Sequence, residues 1–375
     1  MSSELPRVLF FNINGSGLGH MSTCLAYANR LRGRARPVFF SLASAIDMIE
    51  AMGFEADYFV SPFWSRASNR DWNRQLAIRL GMMLERVRPE VVVFDGTWPF
   101  AGLLDAAAAA HVPHLVWSNL VLYKKNEGAV PVSESLFDLV IRLGELGSRF
   151  TVERESRPAR KVMIPPVTLL RDEELLDRNA ARDALDLDRH GRYALFSLGP
   201  GNLKDVSSIG RGLIDEVKSR GFTVVWARAP ISVRDVPLPD GVIPVSVYPL
   251  ARYMRAFDIF AGAAGYNTCC EVLQSRVPTL FVPNGLVIDD QARRAEMVAS
   301  VVPAVTSPCE TPQQRSDAVE RLLSAAQADH IAGPSIDLDG AEYAAEEILS
   351  LMHSGREAST ERPAPRCLDR HRVDG

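Results

Sequence analysis

Two polar side chains, far apart in the chain, are spaced to move a proton. His20 follows the glycine-rich stretch Asn12-Ile13-Asn14-Gly15-Ser16-Gly17-Leu18-Gly19, at the end of a short apolar strand from Val8 to Phe11. Asp95 closes a second apolar run, Glu90-Val91-Val92-Val93-Phe94. Strands of one parallel sheet place their carboxyl ends along one edge, so these two side chains can meet there. A carboxylate in that position orients an imidazole and stabilises its protonated form. The other ring nitrogen is then left to take a proton from a hydroxyl.

A second constellation follows the apolar run Phe257 to Ala261. That run enters Gly262-Ala263-Ala264-Gly265, residues small enough for a ligand to approach the backbone. Tyr266-Asn267-Thr268 open a helix that continues through Cys269, Cys270 and Glu271 and stops before Pro278. A strand, a small-residue turn and a helix N-terminus leave backbone N–H groups pointing outward at the positive end of the helix dipole. A diphosphate is the natural occupant of such a place. Glu271, further along the helix, is placed to accept from a pair of ribose hydroxyls. Past the next strand, Asp290 and Gln291 join a carboxylate to a carboxamide, a pairing suited to reading sugar hydroxyls.

The elements that must hold these residues alternate between strand and helix. Strands are expected at Val8–Phe11, Val38–Ser41, Glu90–Phe94 and His114–Ser118, with helices over Met21–Leu31, Ala45–Met52 and Ala101–His111. A longer helix is expected around Leu136–Leu146. Strands at Tyr193–Leu198, Thr223–Trp226 and Thr279–Val282 repeat the pattern in the second half. This is the α/β alternation of doubly wound sheets. The length of 375 residues suits two domains. Their expected bounds are 1–165, a linker over 166–190, a second domain over 191–339, a crossover helix over 340–353 and a disordered tail over 354–375.

The run Ala264-Gly265-Tyr266-Asn267-Thr268-Cys269-Cys270-Glu271, with Val277-Pro278, Val282-Pro283 and Asp290-Gln291-Ala292, resembles the nucleotide-sugar signature of inverting GT-B glycosyltransferases. Plant-type glucosyltransferases and the N-acetylglucosaminyltransferase of lipid-linked muramyl precursors share that signature. The resemblance implies two facing Rossmann-like domains with a cleft between them, and a UDP-sugar as co-substrate. It gives Gly199, Gly265, Asn267 and Thr268 to the donor diphosphate, Glu271 to the ribose, and Asp290 and Gln291 to the sugar. Val247 and Tyr248 stand where such enzymes read the base, although Leu250 replaces the usual Gln. Gly17 and Gly19 belong to the acceptor loop, and His20 and Asp95 become the catalytic pair. Ala263 stands where plant-type members carry a phosphate-binding His. Retaining relatives often carry a Glu eight positions before Glu271, and Ala263 stands there too, so inversion is expected.

The net charge of −4 argues against nucleic acid as the main partner. The five cysteines show no C-x-x-C spacing and read as reduced thiols of a cytoplasmic protein. No signal peptide and no membrane-spanning run are read. Asp186-Leu187-Asp188 and Asp337-Leu338-Asp339 follow no apolar strand that would aim both carboxylates at one cation, so no metal and no cofactor are expected. The cationic stretch from Trp64 to Arg88 suits either a helix covering the sheet or a surface for an anionic acceptor or lipid headgroups, that is, a peripheral membrane contact. The acceptor, a small molecule or a lipid-linked one, is not specified, and neither is the oligomeric state. Trp64, Trp98, Phe100, Trp117 and Tyr123 suit an acceptor pocket or the core. Two other readings stay open: a UDP-N-acetylglucosamine 2-epimerase-like isomerase, and a non-catalytic sugar-nucleotide-binding partner of a glycosyltransferase.

Overall fold

The computed structural model describes residues 4–14, 17–120, 134–153, 160–198, 207–228, 237–283, 289–327 and 335–354. The first sheet arises from β1 (Arg7–Asn12), α1 (Gly19–Leu31), β2 (Arg36–Ser41), α2 (Ile46–Ala51), β3 (Glu55–Tyr58), α3 (Asn69–Val87), β4 (Val91–Asp95), α4 (Ala101–Ala109), β5 (His114–Leu120), β6 (Leu139–Leu143), β7 (Thr151–Glu153) and β8 (Arg160–Ile164). Its strand order is β3-β2-β1-β4-β5-β6-β8-β7, parallel except for β7 against β8. Strands such as Val91-Val92-Val93-Phe94 are apolar on both faces because helices cover both faces of a parallel sheet. Alternate residues divide between two cores. Val8, Phe10, Val91 and Val93 face α1, whereas Leu9, Phe11, Val92 and Phe94 face α3 and α4.

Helix α3 begins at Ser68, whose hydroxyl accepts from the Asp71 N–H at 3.1 Å. It buries Trp72, Leu76, Leu80, Met83 and Leu84. Gly102 lets α4 approach it: a Cβ there would meet the Asn73 carbonyl oxygen at 2.3 Å.

One expectation is corrected here. The helix read around Leu136–Leu146 is a strand, β6, hydrogen-bonded between β5 and β8. Leu139-Val140-Ile141 are fully buried, so an apolar run with no polar face fits the middle of a sheet rather than an amphipathic helix.

The second sheet is built from α5 (Arg178–Ala184), β9 (Tyr193–Ser197), α6 (Ser207–Ser219), β10 (Thr223–Ala227), β11 (Ile243–Val245), β12 (Ile259–Gly262), α7 (Tyr266–Ser275), β13 (Thr279–Phe281), α8 (Gln291–Ala299), β14 (Ala304–Thr306) and α9 (Pro312–Gln327). Its order is β11-β10-β9-β12-β13-β14, and every pairing is parallel. Helix α5 packs with this half: Ala181 lies in its core, and Arg182 Nε donates to the Ala256 carbonyl at 2.8 Å.

The chain then returns. Asp339 bridges to Val167, and α10 (Gly340–Ser354) buries Ala341, Ala344, Ala345 and Ile348 in the core that faces α1. Gly340 is required at that crossing, since a Cβ would sit 2.1 Å from the Pro165 carbonyl oxygen.

Candidate active site

Strand register decides where the proton-moving pair lies. Asn12, the last residue of β1, pairs with Asp95, the last of β4. Both are buried at the carboxyl edge of the sheet. The chain leaving β1 turns through Gly17 and Leu18 into α1, whose second residue is His20. His20 Nδ1 reaches Asp95 Oδ1 at 2.6 Å, and Ser118 Oγ donates to Asp95 Oδ2 at 2.6 Å. Ser118 Oγ also meets the Tyr27 hydroxyl at 3.2 Å. Asp95 is 2% exposed, while the His20 side chain keeps 18% of its surface open, so the imidazole is the reachable partner. Burial, and then the charge of Asp95, push the Cys24 thiol and the Tyr27 phenol well above their ordinary values. Both therefore hold their protons at neutral pH. Sequence reasoning did not find Ser118, although its place in β5, paired with Asp95, is a signal that could have found it.

Two of the residues expected to hold the donor, Asn267 and Tyr248, reach α1 across the domain junction. Gly265 caps α7 with no side-chain hydrogen bond, and no acidic residue occupies the first turn. The Asn267 carboxamide donates to the Gly19 carbonyl at 3.1 Å, joining the start of α7 to the start of α1. Among the described residues, a Cβ added at Gly17 or Gly265 would meet nothing within 4 Å. The Tyr248 hydroxyl is hydrogen-bonded to Ser22 Oγ at 2.9 Å, two residues past His20. Thr268 and Glu271, both half-buried, make no side-chain hydrogen bond among the described residues.

Burial pushes the Glu271 carboxyl up to about 7. Burial also raises the Tyr248 phenol, the Ser22 hydrogen bond pulls against it, and the charge of Glu271 adds to it. Tyr248 and Glu271 are thus electrostatic neighbours.

Asp290 caps α8, accepting from the Arg293 N–H at 3.3 Å. Gln291 is buried, and its amide donates to Asp289 Oδ2 at 3.3 Å. Val247 is half-buried beside Tyr248, between β11 and the 3-10 helix Leu250–Ala256. Gly199 and Tyr123 lie outside the described residues, as does the tail beyond 354.

Of the aromatic candidates, Trp117 is core, its indole N–H donating to the Gly96 carbonyl at 2.8 Å. Phe100 packs on the same core, whereas Trp64 and Trp98 are exposed. On α3 the cationic stretch leaves Arg70, Arg74, Ile78 and Met82 outward. A separate groove lined by Arg7, Arg32, Arg36 and Phe54 lies at the amino ends of β1 and β2, the edge opposite the site.

Among the described residues no helix is long and apolar enough to cross a membrane.

Two parallel α/β domains, joined so that a helix N-terminus from each meets at the junction, form the GT-B fold. The glycosyltransferase VinC, solved in complex with DTDP, matches at a TM-score of 0.57 with 17% identity over 94% of this chain and all of that one. UDP-GlcNAc 2-epimerase from Neisseria meningitidis bound to UDP-GlcNAc matches at 0.59 with 12% identity over 92% of this chain and all of its own. In sequence, the chain is 19% identical over 212 residues to a UDP-N-acetylglucosamine–N-acetylmuramyl-(pentapeptide) pyrophosphoryl-undecaprenol N-acetylglucosamine transferase of Bacillus licheniformis. That alignment covers 54% of this chain and 56% of the relative, so the chain spans about half the length of the curated relative it matches. No protein-family model matches.

Proposed function

We propose that this protein is an inverting, metal-independent glycosyltransferase that moves a sugar from a UDP-sugar to a hydroxyl of its acceptor. The observation that carries the reading is the His20–Asp95 contact at 2.6 Å, one residue from the Gly19–Asn267 link to the donor helix. Asp95 orients the imidazole through Nδ1 and stabilises the charge it acquires. Nε2 is then free to take the acceptor proton, and the acceptor oxygen attacks the anomeric carbon from the face opposite UDP. The N–H groups at the start of α7 stabilise the diphosphate as it leaves. Glu271 accepts from the ribose hydroxyls, which favours UDP over a deoxyribonucleotide. Asp290 and Gln291 are assigned to the sugar, and Val247 with Tyr248 to the base.

The acceptor approaches from the first domain, past Gly17 and Gly19. Exposed Trp64 and Trp98 and the cations Arg70 and Arg74 offer a lipid-linked acceptor or an anionic small molecule a place to rest. We place the protein in the cytoplasm, where sugar nucleotides are available.

The test is calorimetric titration with UDP, dTDP and UDP-N-acetylglucosamine, followed by incubation with UDP-N-acetylglucosamine alone. Binding of UDP ahead of dTDP supports the donor assignment. Conversion of UDP-N-acetylglucosamine to its 2-epimer without an acceptor would move the protein to the isomerase reading, which its fold also accommodates.

A further inference from the structure

We propose that Arg294 and Glu145 are positioning residues that hold the diphosphate turn and the sugar loop, as one unit, on the first domain. The proposal rests on the donor reading above and extends it to residues outside the nucleotide-sugar signature. Arg294, on α8, is 1% exposed, and the Glu145 side chain, just past β6, is 8% exposed. Arg294 Nε lies 3.0 and 2.9 Å from the two Glu145 oxygens, and Nη2 donates to Oε1 at 2.8 Å. This is a forked contact across the two domains. Nη1 donates to the Ala264 carbonyl, inside the small-residue turn, at 3.2 Å. The same nitrogen lies 2.8 Å from Asp289 Oδ1, off the hydrogen-bonding line, beside the residues assigned to the sugar. The guanidinium also sits 5.7 Å over the ring of Tyr266, whose hydroxyl donates to the Gly144 carbonyl at 3.1 Å and accepts from the Val167 N–H at 3.0 Å. Burial lowers the Arg294 pKa, but the hydrogen bonds and charge of Glu145, with Asp289, outweigh it and hold the group above its ordinary value.

Stability does not account for this arrangement. A buried ion pair returns little more than its desolvation costs, and an apolar pair of similar volume often serves as well. What the guanidinium supplies is direction: a rigid fork that reaches three separate segments at once, which neither Met nor Lys can do. The peptide plane converts that direction into ligand geometry. In a trans peptide C=O and N–H point opposite ways, so drawing the Ala264 carbonyl inward turns the Gly265 N–H outward. On the described residues a Cβ at Gly265 would also meet nothing within 4 Å, so the backbone there is open to approach.

Removing one partner alone leaves a buried charge and endangers folding, so the decisive variant is the double substitution Glu145→Met with Arg294→Met. Melting temperature, amide exchange over 262–268 and 289–294, and UDP affinity are read together. The expected result is a melting point near that of wild type, exchange faster by about tenfold in both segments, and UDP bound about tenfold more weakly. A stable double variant with wild-type exchange and wild-type UDP affinity overturns the proposal. If that variant does not fold, Arg294→Lys decides on the same readouts, since it keeps the charge and loses the fork. Should wild type bind neither UDP nor dTDP, the donor reading fails, and the exchange measurement alone still decides whether Arg294 holds the two segments.

Discussion

The pH dependence of donor binding tests the Glu271 assignment most directly. Its carboxyl moves from an ordinary 4.5 to about 7 because burial strips water from the charge, and no hydrogen bond from the described residues replaces it. A displacement of that size opposes ionisation by about 3 kcal/mol. A ribose diol donating two hydrogen bonds restores what burial removed, and it does so far better for the carboxylate than for the acid. Hydrogen bonds to a charged acceptor contribute about 1.5–3 kcal/mol, against about 0.5–1.5 for neutral ones. UDP-N-acetylglucosamine, whose diphosphate does not titrate in this range, should therefore bind about tenfold more tightly at pH 8.5 than at pH 5.5. The rise should centre near 7 and be absent in Glu271→Gln.

Stability runs the opposite way. A carboxyl whose folded value is raised contributes stability that is whole below its unfolded value of 4.5 and is lost as pH rises through about 7. Glu271→Gln should thus match wild type in stability at pH 4.5 and exceed it at pH 8, by at most about 3 kcal/mol. Titration calorimetry and thermal melts across the range read both effects. An equal, flat pH profile for the two proteins, or no stabilisation of the Gln variant at pH 8, would refute the reasoning.

Four further outcomes are expected. His20→Ala should lower turnover by about 10²–10⁴-fold, the usual contribution of a general base, with UDP-sugar affinity nearly intact. Asp95→Asn should cost less unless it also misplaces the ring, and the anomeric configuration of the product, read by NMR, should be inverted. Gln291→Ala should weaken UDP-sugar binding and leave UDP within about threefold, whereas parallel loss of both would make Gln291 a packing residue. Activity should survive EDTA, because the start of α7 supplies the positive potential; loss reversed by magnesium or manganese would show otherwise.

Much of this was legible from residue types and spacing, and the reasons differ by element. The Val91–Phe94 run and the turn Gly262–Gly265 are local signals: apolar on both faces in the first case, small at every position in the second. The meeting of His20 with Asp95 followed from the rule that parallel strands share a carboxyl edge, and the β1–β4 register realises it. Strand β6 was missed because a short apolar run carries no period of its own, and only its neighbours β5 and β8 make it a strand. Glu145 and Arg294 were invisible for another reason. They meet from 149 positions apart, and nothing in the local pattern marks a buried arginine as different from an exposed one.

The double crossing at Val167 and Asp339 has a consequence for anyone rearranging this chain. Helix α10 belongs to the last stretch of sequence but completes the core around α1, and Arg34 ties it there through Glu342 at 3.2 Å and through Glu346. The first domain is therefore discontinuous, with the second inserted into it as a cassette. A chimera made by a single cut near residue 166 would strip Ala341, Ala344, Ala345 and Ile348 from the first domain and leave an apolar scar beside Leu25 and Ala28. Two cuts, near 166 and 339, would exchange the second domain whole and keep the helix that shields its host.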